Sequence, residues 1–108
     1  MNNREIKEQR KYRRFPFTED VLVDGTRLCT CTDISEGGLY LSSIQFFEER
    51  SIIRISIPFK GENLEVQARV IYCQPGIGMG VMFFELSDAQ RSKIKELVKS
   101  IAKNQPDS

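Results

Sequence analysis

Ser51-Ile52-Ile53-Arg54-Ile55-Ser56-Ile57-Pro58 alternates residue by residue, with Ile53, Ile55 and Ile57 to one side and Arg54 and Ser56 to the other. A period of two is that of a half-buried strand. Lys60-Gly61-Glu62 follows as a turn, and Leu64, Val66, Ala68, Val70 and Tyr72 then form a second alternating face. Pro75-Gly76-Ile77-Gly78 is a loop, and Met79 to Phe84 reads as a last strand. Upstream, Phe15-Pro16-Phe17 starts an extended path. Val21 to Val23 makes a strand, and Asp24-Gly25 marks a tight turn. Arg27 to Ile34 alternates, with Leu28, Thr30, Thr32 and Ile34 on one face and Cys29, Cys31 and Asp33 on the other. Glu36-Gly37-Gly38 turns the chain into Leu39-Tyr40-Leu41. About six short strands at regular spacing predict an antiparallel barrel or sandwich, and full closure would remove the open edges.

The chain ends differently. Ser87-Asp88-Ala89-Gln90 has the form of a capping box. Ile94, Leu97, Val98 and Ile101 then keep the spacing of one apolar helix face. A helix over about 87–103 is expected to plug one end of the barrel, with 104–108 as a disordered tail. The fold class is therefore an all-β core plus a C-terminal helix, with the barrel and helix over 15–103.

Residues 1–14 read as a flexible basic arm. Residues 4–14 hold six basic and two acidic side chains, a local +4 on a body of −3. Such an arm attracts phosphates or anionic surfaces, or serves only as a solvated tail. At 108 residues, with 40% apolar and 29% charged content, the chain is a single soluble domain. No secretory signal and no membrane span are legible. Three cysteines, an odd count, suit a reducing compartment and hence the cytoplasm. They are expected to be reduced and packed, since two or three thiolates without histidine make a poor metal site. No metal or cofactor is expected. Catalysis is not expected: the commonest general base is missing, and no carboxylate pair is placed by pattern. Gly76-Ile77-Gly78-Met79-Gly80 is followed by a strand, so it is a hairpin rather than a phosphate loop.

Two clusters remain. Arg10-Lys11-Tyr12-Arg13-Arg14 places two guanidinium forks four residues apart. A fork holds a phosphate bidentately and also pairs with the O6 and N7 edge of guanine. Asp33-Ile34-Ser35-Glu36-Gly37-Gly38 offers a carboxylate, a hydroxyl and bare backbone near a strand end. Asp33 could accept from guanine N1 and N2, and Ser35 could bond a phosphate or base. Read alone, the second cluster is a capped hairpin with glycines supplying positive φ.

The two clusters in this order, Arg-x-x-x-Arg before Phe-Pro and then Asp-x-Ser-x-x-Gly, resemble the PilZ domain family. Gly38 to Leu41, Ala68 to Tyr72, and Gly80 to Phe83 with Leu86-Ser87 are similar to its later strands and helix start. The likeness covers roughly residues 9–102. It implies a six-stranded split-barrel fold and a receptor for cyclic di-GMP. Arg10 and Arg14 would grip guanine edges and phosphates. Asp33 and Ser35 would bind the base and its polar surroundings, and Gly38 would leave room for the ligand. Lys11, Arg13 and Gly37 would add secondary contacts. Tyr72 falls where some relatives place an aromatic near a guanine, or else is a core residue of its alternating face. Ser42 to Arg50 departs from the family's Pro- and Gly-containing connection, and Phe46 and Phe47 there are a barrel plug or an exposed contact patch. The resemblance implies an adaptor whose arm orders on ligand binding and signals to a downstream partner protein. The alternatives are an interaction module that does not use the ligand, or a small barrel binding nucleic acid non-specifically. The acidic body disfavours nucleic acid.

Overall fold

In the computed structural model, residues 12–42 and 45–104 are described. Arg10, Lys11, most of the expected arm and residues 105–108 of the expected tail lie outside them. Among the described residues there are six strands and one helix. The strands are β1 (Phe15–Val23), β2 (Arg27–Ile34), β3 (Gly38–Ser42), β4 (Ile52–Phe59), β5 (Glu62–Gln74) and β6 (Gly78–Phe83), and the helix is α1 (Asp88–Lys103). All strand pairs are antiparallel, and they close in the order β1-β2-β3-β6-β5-β4. β4 returns to pair with β1 through Leu22 and Ser56 and through Val23 and Ile55. Closure pairs the outer edges that an open sheet would expose.

β4 follows its sequence reading. Ile53, Ile55 and Ile57 are buried, and Arg54 is exposed. Lys60 (φ 55°) and Gly61 (φ 77°) link β4 to β5, with Phe59 opposite Glu62. Two successive positive φ values give the hairpin turn whose twist matches the strands, and glycine adopts one at no steric cost.

α1 starts as its capping box directs. Ser87 Oγ accepts from the Gln90 amide at 3.1 Å, and Gln90 Oε1 accepts from the Ser87 N–H at 2.8 Å. Gln90 Nε2 also donates to the Glu65 carbonyl at 2.8 Å, which ties the helix start to β5. Ile94, Leu97 and Val98 are buried in the same apolar cluster as the barrel interior, with Ile101 packed against it. The helix lies against β1 and β5. Among the described residues no polar or charged side chain is buried.

Two departures from the expected faces share one cause. In β2, Cys29 and Cys31 face the core while Leu28 is 68% exposed, yet Ile34 is fully buried. The pairing with β3 shifts register between Cys31 and Asp33. An unpaired residue in a bulge inverts the phase of everything beyond it. In β5, Leu64, Val66, Ala68 and Val70 are buried, but Tyr72 is 42% exposed. The register against β6 shifts between Val70 and Tyr72, so Tyr72 leaves the core face. Phe46 and Phe47 divide the two roles weighed for them: Phe46 is 64% exposed and Phe47 5%. The Arg27 guanidinium covers the Phe47 ring at 4.9 Å.

The cysteines are thiols, with Cys29 and Cys31 buried and Cys73 partly so. Burial, and after it the Asp33 charge, push the Cys31 thiol from 9.0 up to about 12. The native state keeps this proton where the unfolded chain releases it. The associated stability is intact below pH 9 and is lost progressively as pH rises from there toward 12. Urea midpoints are expected to fall between pH 8 and pH 10.5, and to fall less in Cys31→Ala. An equal fall in both proteins would contradict the assignment.

Candidate functional site

β2, β3, β6 and β5 are consecutive in the barrel, and one row of cross-strand partners runs through them. Asp33 is opposite Tyr40, Tyr40 is opposite Gly80, and Gly80 is opposite Tyr72. Directly opposed residues share a face of the sheet. The two bulges bring Asp33 and Tyr72 onto the outer face, one at each end of this row. Gly80 is the gap between the two tyrosines. A Cβ there would lie 2.8 Å from Tyr72 Cε2, so the missing side chain admits the Tyr72 ring over the backbone. Tyr40 flanks it, with ring centroids 6.3 Å apart and planes tilted by 42°.

Asp33 receives the segment that precedes β1. Arg14 Nε and Nη2 both donate to Asp33 Oδ1, at 3.2 and 3.0 Å. The side chains are 38% and 30% exposed. At that exposure the pair contributes no more than about 1 kcal/mol to stability. It fixes where the basic segment meets the barrel.

Ser35 builds the turn after β2. Its N–H donates to the Gly38 carbonyl at 2.9 Å, and its Oγ accepts from the amides of Gly37 (3.0 Å) and Gly38 (3.2 Å). Neither glycine has a positive φ. Gly38 is bare for a different reason: a Cβ on it would overlap the Val81 carbonyl oxygen and lie 3.1 Å from Met82 Cα. A side chain on Gly38 would therefore run into the β6 backbone, so the sheet itself requires the glycine. Gly37 borders the Tyr12 ring, where a Cβ would come within 2.9 Å of Tyr12 Cδ2. Ser35→Ala removes the shared acceptor of two amides in a partly buried turn. It is expected to cost about 1–2 kcal/mol in a urea titration; an unchanged midpoint would mean the turn holds without the hydroxyl.

These elements surround an open cavity of about 580 Å³, within the range of small-molecule sites. Arg14, Asp33, Ser35, Gly37, Gly38 and Tyr72 all line it. Arg13 does not: its guanidinium stacks on Phe15 at 5.1 Å, and it faces a second hollow beside α1 with Lys95 and Lys99. Arg10 and Lys11 are outside the described residues. The cavity also has walls that the motifs do not announce. Ile71 and Met82 add apolar surface, and Glu85 and Arg91 add charge from the corner into α1. Ile71 could have been found only by knowing where the bulge falls. Among the described residues no cluster of three histidine, cysteine, aspartate or glutamate side chains could hold a metal ion. No helix among them is long and apolar enough to cross a membrane.

A closed six-stranded barrel, a C-terminal helix and a cavity shared by Arg14, the second arginine of the Arg-x-x-x-Arg motif, and the Asp-x-Ser-x-x-Gly turn define one class of domain. The chain belongs to the PilZ domain family, whose model matches residues 8–100. PilZ domains are in general cyclic di-GMP receptors and adaptor modules rather than catalysts. Solved structures agree on the fold. The PilZ domain of CeSA from a cellulose-synthesizing bacterium aligns with TM-score 0.69 and 24% identity, over 83% of this chain and 98% of that one. The Bacillus subtilis inhibitor of motility (MotI/DgrA) aligns with TM-score 0.70 and 17% identity, over 90% of this chain and 53% of that one. An uncharacterized Legionella protein aligns with TM-score 0.62 and 14% identity, over 85% and 96%. A search of curated protein sequences returned no significant match.

Proposed function

We propose that this protein is a cyclic di-GMP receptor that seats its ligand between Arg14, Asp33 and Tyr72 and relays the signal to a partner protein. The observation that carries the reading is that one cavity gathers Arg14 from the first motif, Asp33, Ser35 and Gly38 from the second, and Tyr72 from β5. Each supplies chemistry that the ligand can use. The Arg14 fork suits a phosphodiester or the O6 and N7 edge of guanine. Asp33 commits Oδ1 to Arg14 and keeps a second carboxylate oxygen for guanine N–H donors. Tyr72 presents an exposed aromatic face on which a base can stack.

In this reading the ligand draws the basic segment onto the barrel. Ordering backbone costs about 1–2 kcal/mol per residue. Charge-assisted hydrogen bonds, at about 1.5–3 kcal/mol each, offset a few ordered residues. The partner then meets a surface built partly from the ordered segment. Phe46, exposed beside the buried Phe47, offers it an apolar contact.

A second reading has one observation in its favour. Arg14 and Asp33 bond each other in the protein alone, as they would in an interaction module that does not use the ligand. Titration calorimetry with cyclic di-GMP, with GTP and cyclic di-AMP as controls, separates the two. Saturable heat with cyclic di-GMP alone is expected. No heat at micromolar concentrations would leave the interaction module as the better account.

A further inference from the structure

The cavity contains a second arginine that belongs to neither motif. Arg91 lies at the fourth position of α1, and its backbone N–H donates to the Ser87 carbonyl at 2.9 Å. Its guanidinium has no hydrogen-bond or ion-pair partner among the described residues. Asp88 stands three residues before it and is not paired with it. A cation this close to a helix start opposes the positive end of the macrodipole. The macrodipole of α1 therefore offers the Arg91 charge no stabilisation, and Arg91 is among the residues that line the cavity.

The charges on that wall give the position a use. Asp33, Glu36 and Glu85 are its carboxylates, and Arg14 and Arg91 its described cations. Arg14 is already engaged by Asp33. An incoming dianion thus faces Glu36 and Glu85 with Arg91 as the one unpaired described cation. We propose that Arg91 is a phosphate-binding residue, whose fork holds a phosphodiester of the cyclic dinucleotide from the helix side of the cavity. The assignment rests on the receptor reading given above. It commits α1 to ligand contact, where the barrel motifs alone would leave the helix as a structural cap. A bidentate grip on two phosphate oxygens requires arginine, since lysine offers a point charge without the fork.

Calorimetry of Arg91→Gln, Arg91→Lys and Arg54→Gln against cyclic di-GMP, at low and high salt, tests this. Arg54 is an exposed β4 arginine outside the cavity. Arg91→Gln is expected to bind at least tenfold more weakly than the unaltered protein and with a shallower salt dependence, because one screened charge pair is gone. Arg91→Lys should fall between them, and Arg54→Gln should bind normally. Thermal melts should show all three variants folded. If the unaltered protein binds and Arg91→Gln binds equally well, the assignment fails and the receptor reading stands. Affinity lost with unchanged salt dependence would also overturn a phosphate contact. If the unaltered protein does not bind, the receptor reading fails and carries this inference with it.

Discussion

Gly38→Ala is expected to destabilise the protein by about 3 kcal/mol, the upper end of what an overpacked position costs. The added methyl would overlap the Val81 carbonyl oxygen, which is backbone held in the β3–β6 ladder and cannot swing aside as a side chain could. Alanine also restricts the unfolded chain, which offsets only about 0.4–1 kcal/mol. For a domain of this size the net loss corresponds to a drop in melting temperature of roughly 15 °C. Gly37→Ala makes the sharper comparison. Its methyl would meet the Tyr12 ring, at the edge of the barrel, and should cost much less. Urea titrations with unchanged slope would measure both. Equal, small losses would show that β3 and β6 do not approach as described. With the large loss expected for Gly38→Ala, any accompanying loss of ligand binding would follow from the damaged sheet, whatever the glycine does for the ligand.

Arg14→Ala is expected to show the opposite signature, with affinity for cyclic di-GMP reduced ten- to a hundredfold and stability nearly unchanged. The Arg14–Asp33 pair is about one-third exposed at both ends, so its loss costs the fold at most about 1 kcal/mol. A hydrogen bond from a guanidinium to a charged ligand is worth about 1.5–3 kcal/mol, and each 1.4 kcal/mol is tenfold in affinity. The variant also leaves the Asp33 carboxylate uncompensated beside an anion. Calorimetry and a thermal melt on the same preparation would check both halves. Unchanged affinity would remove Arg14 from the site.

The parts of the fold legible in the sequence are those whose pattern is local and unbroken. Ile53, Ile55 and Ile57 keep their period through β4, and the Ser87–Gln90 box and its apolar stripe specify α1 without reference to the barrel. The outward turn of Tyr72 and the change of phase at the end of β2 are not legible, because a bulge is set by the partner strand and no residue in the bulged strand need announce it. Phe46 and Phe47 are chemically identical neighbours, and only the path of the chain past Cys73 decides which one is buried. Gly38 was legible as a motif position, but its structural demand comes from Val81, far along the chain. Arg91 carried a faint signal, a cation in the first turns of a helix that disfavours it, and the signal gained meaning only when the cavity reached the helix.

The bulges in β2 and β5 have a consequence for how this barrel can change over time. A regular strand binds its two faces together, because any insertion that alters one face displaces the other. Here the slipped residue is a joint between two phases of the same strand, so that in β2 Cys31 and Ile34 both face the interior while Asp33 turns outward, and in β5 Val70 faces inward and Tyr72 outward. Mutations at Asp33 or Tyr72 are thereby insulated from the packing that holds Cys31 and Val70 in place. A lineage can exchange what the outer row recognises, or let recognition lapse altogether, while the barrel beneath keeps folding.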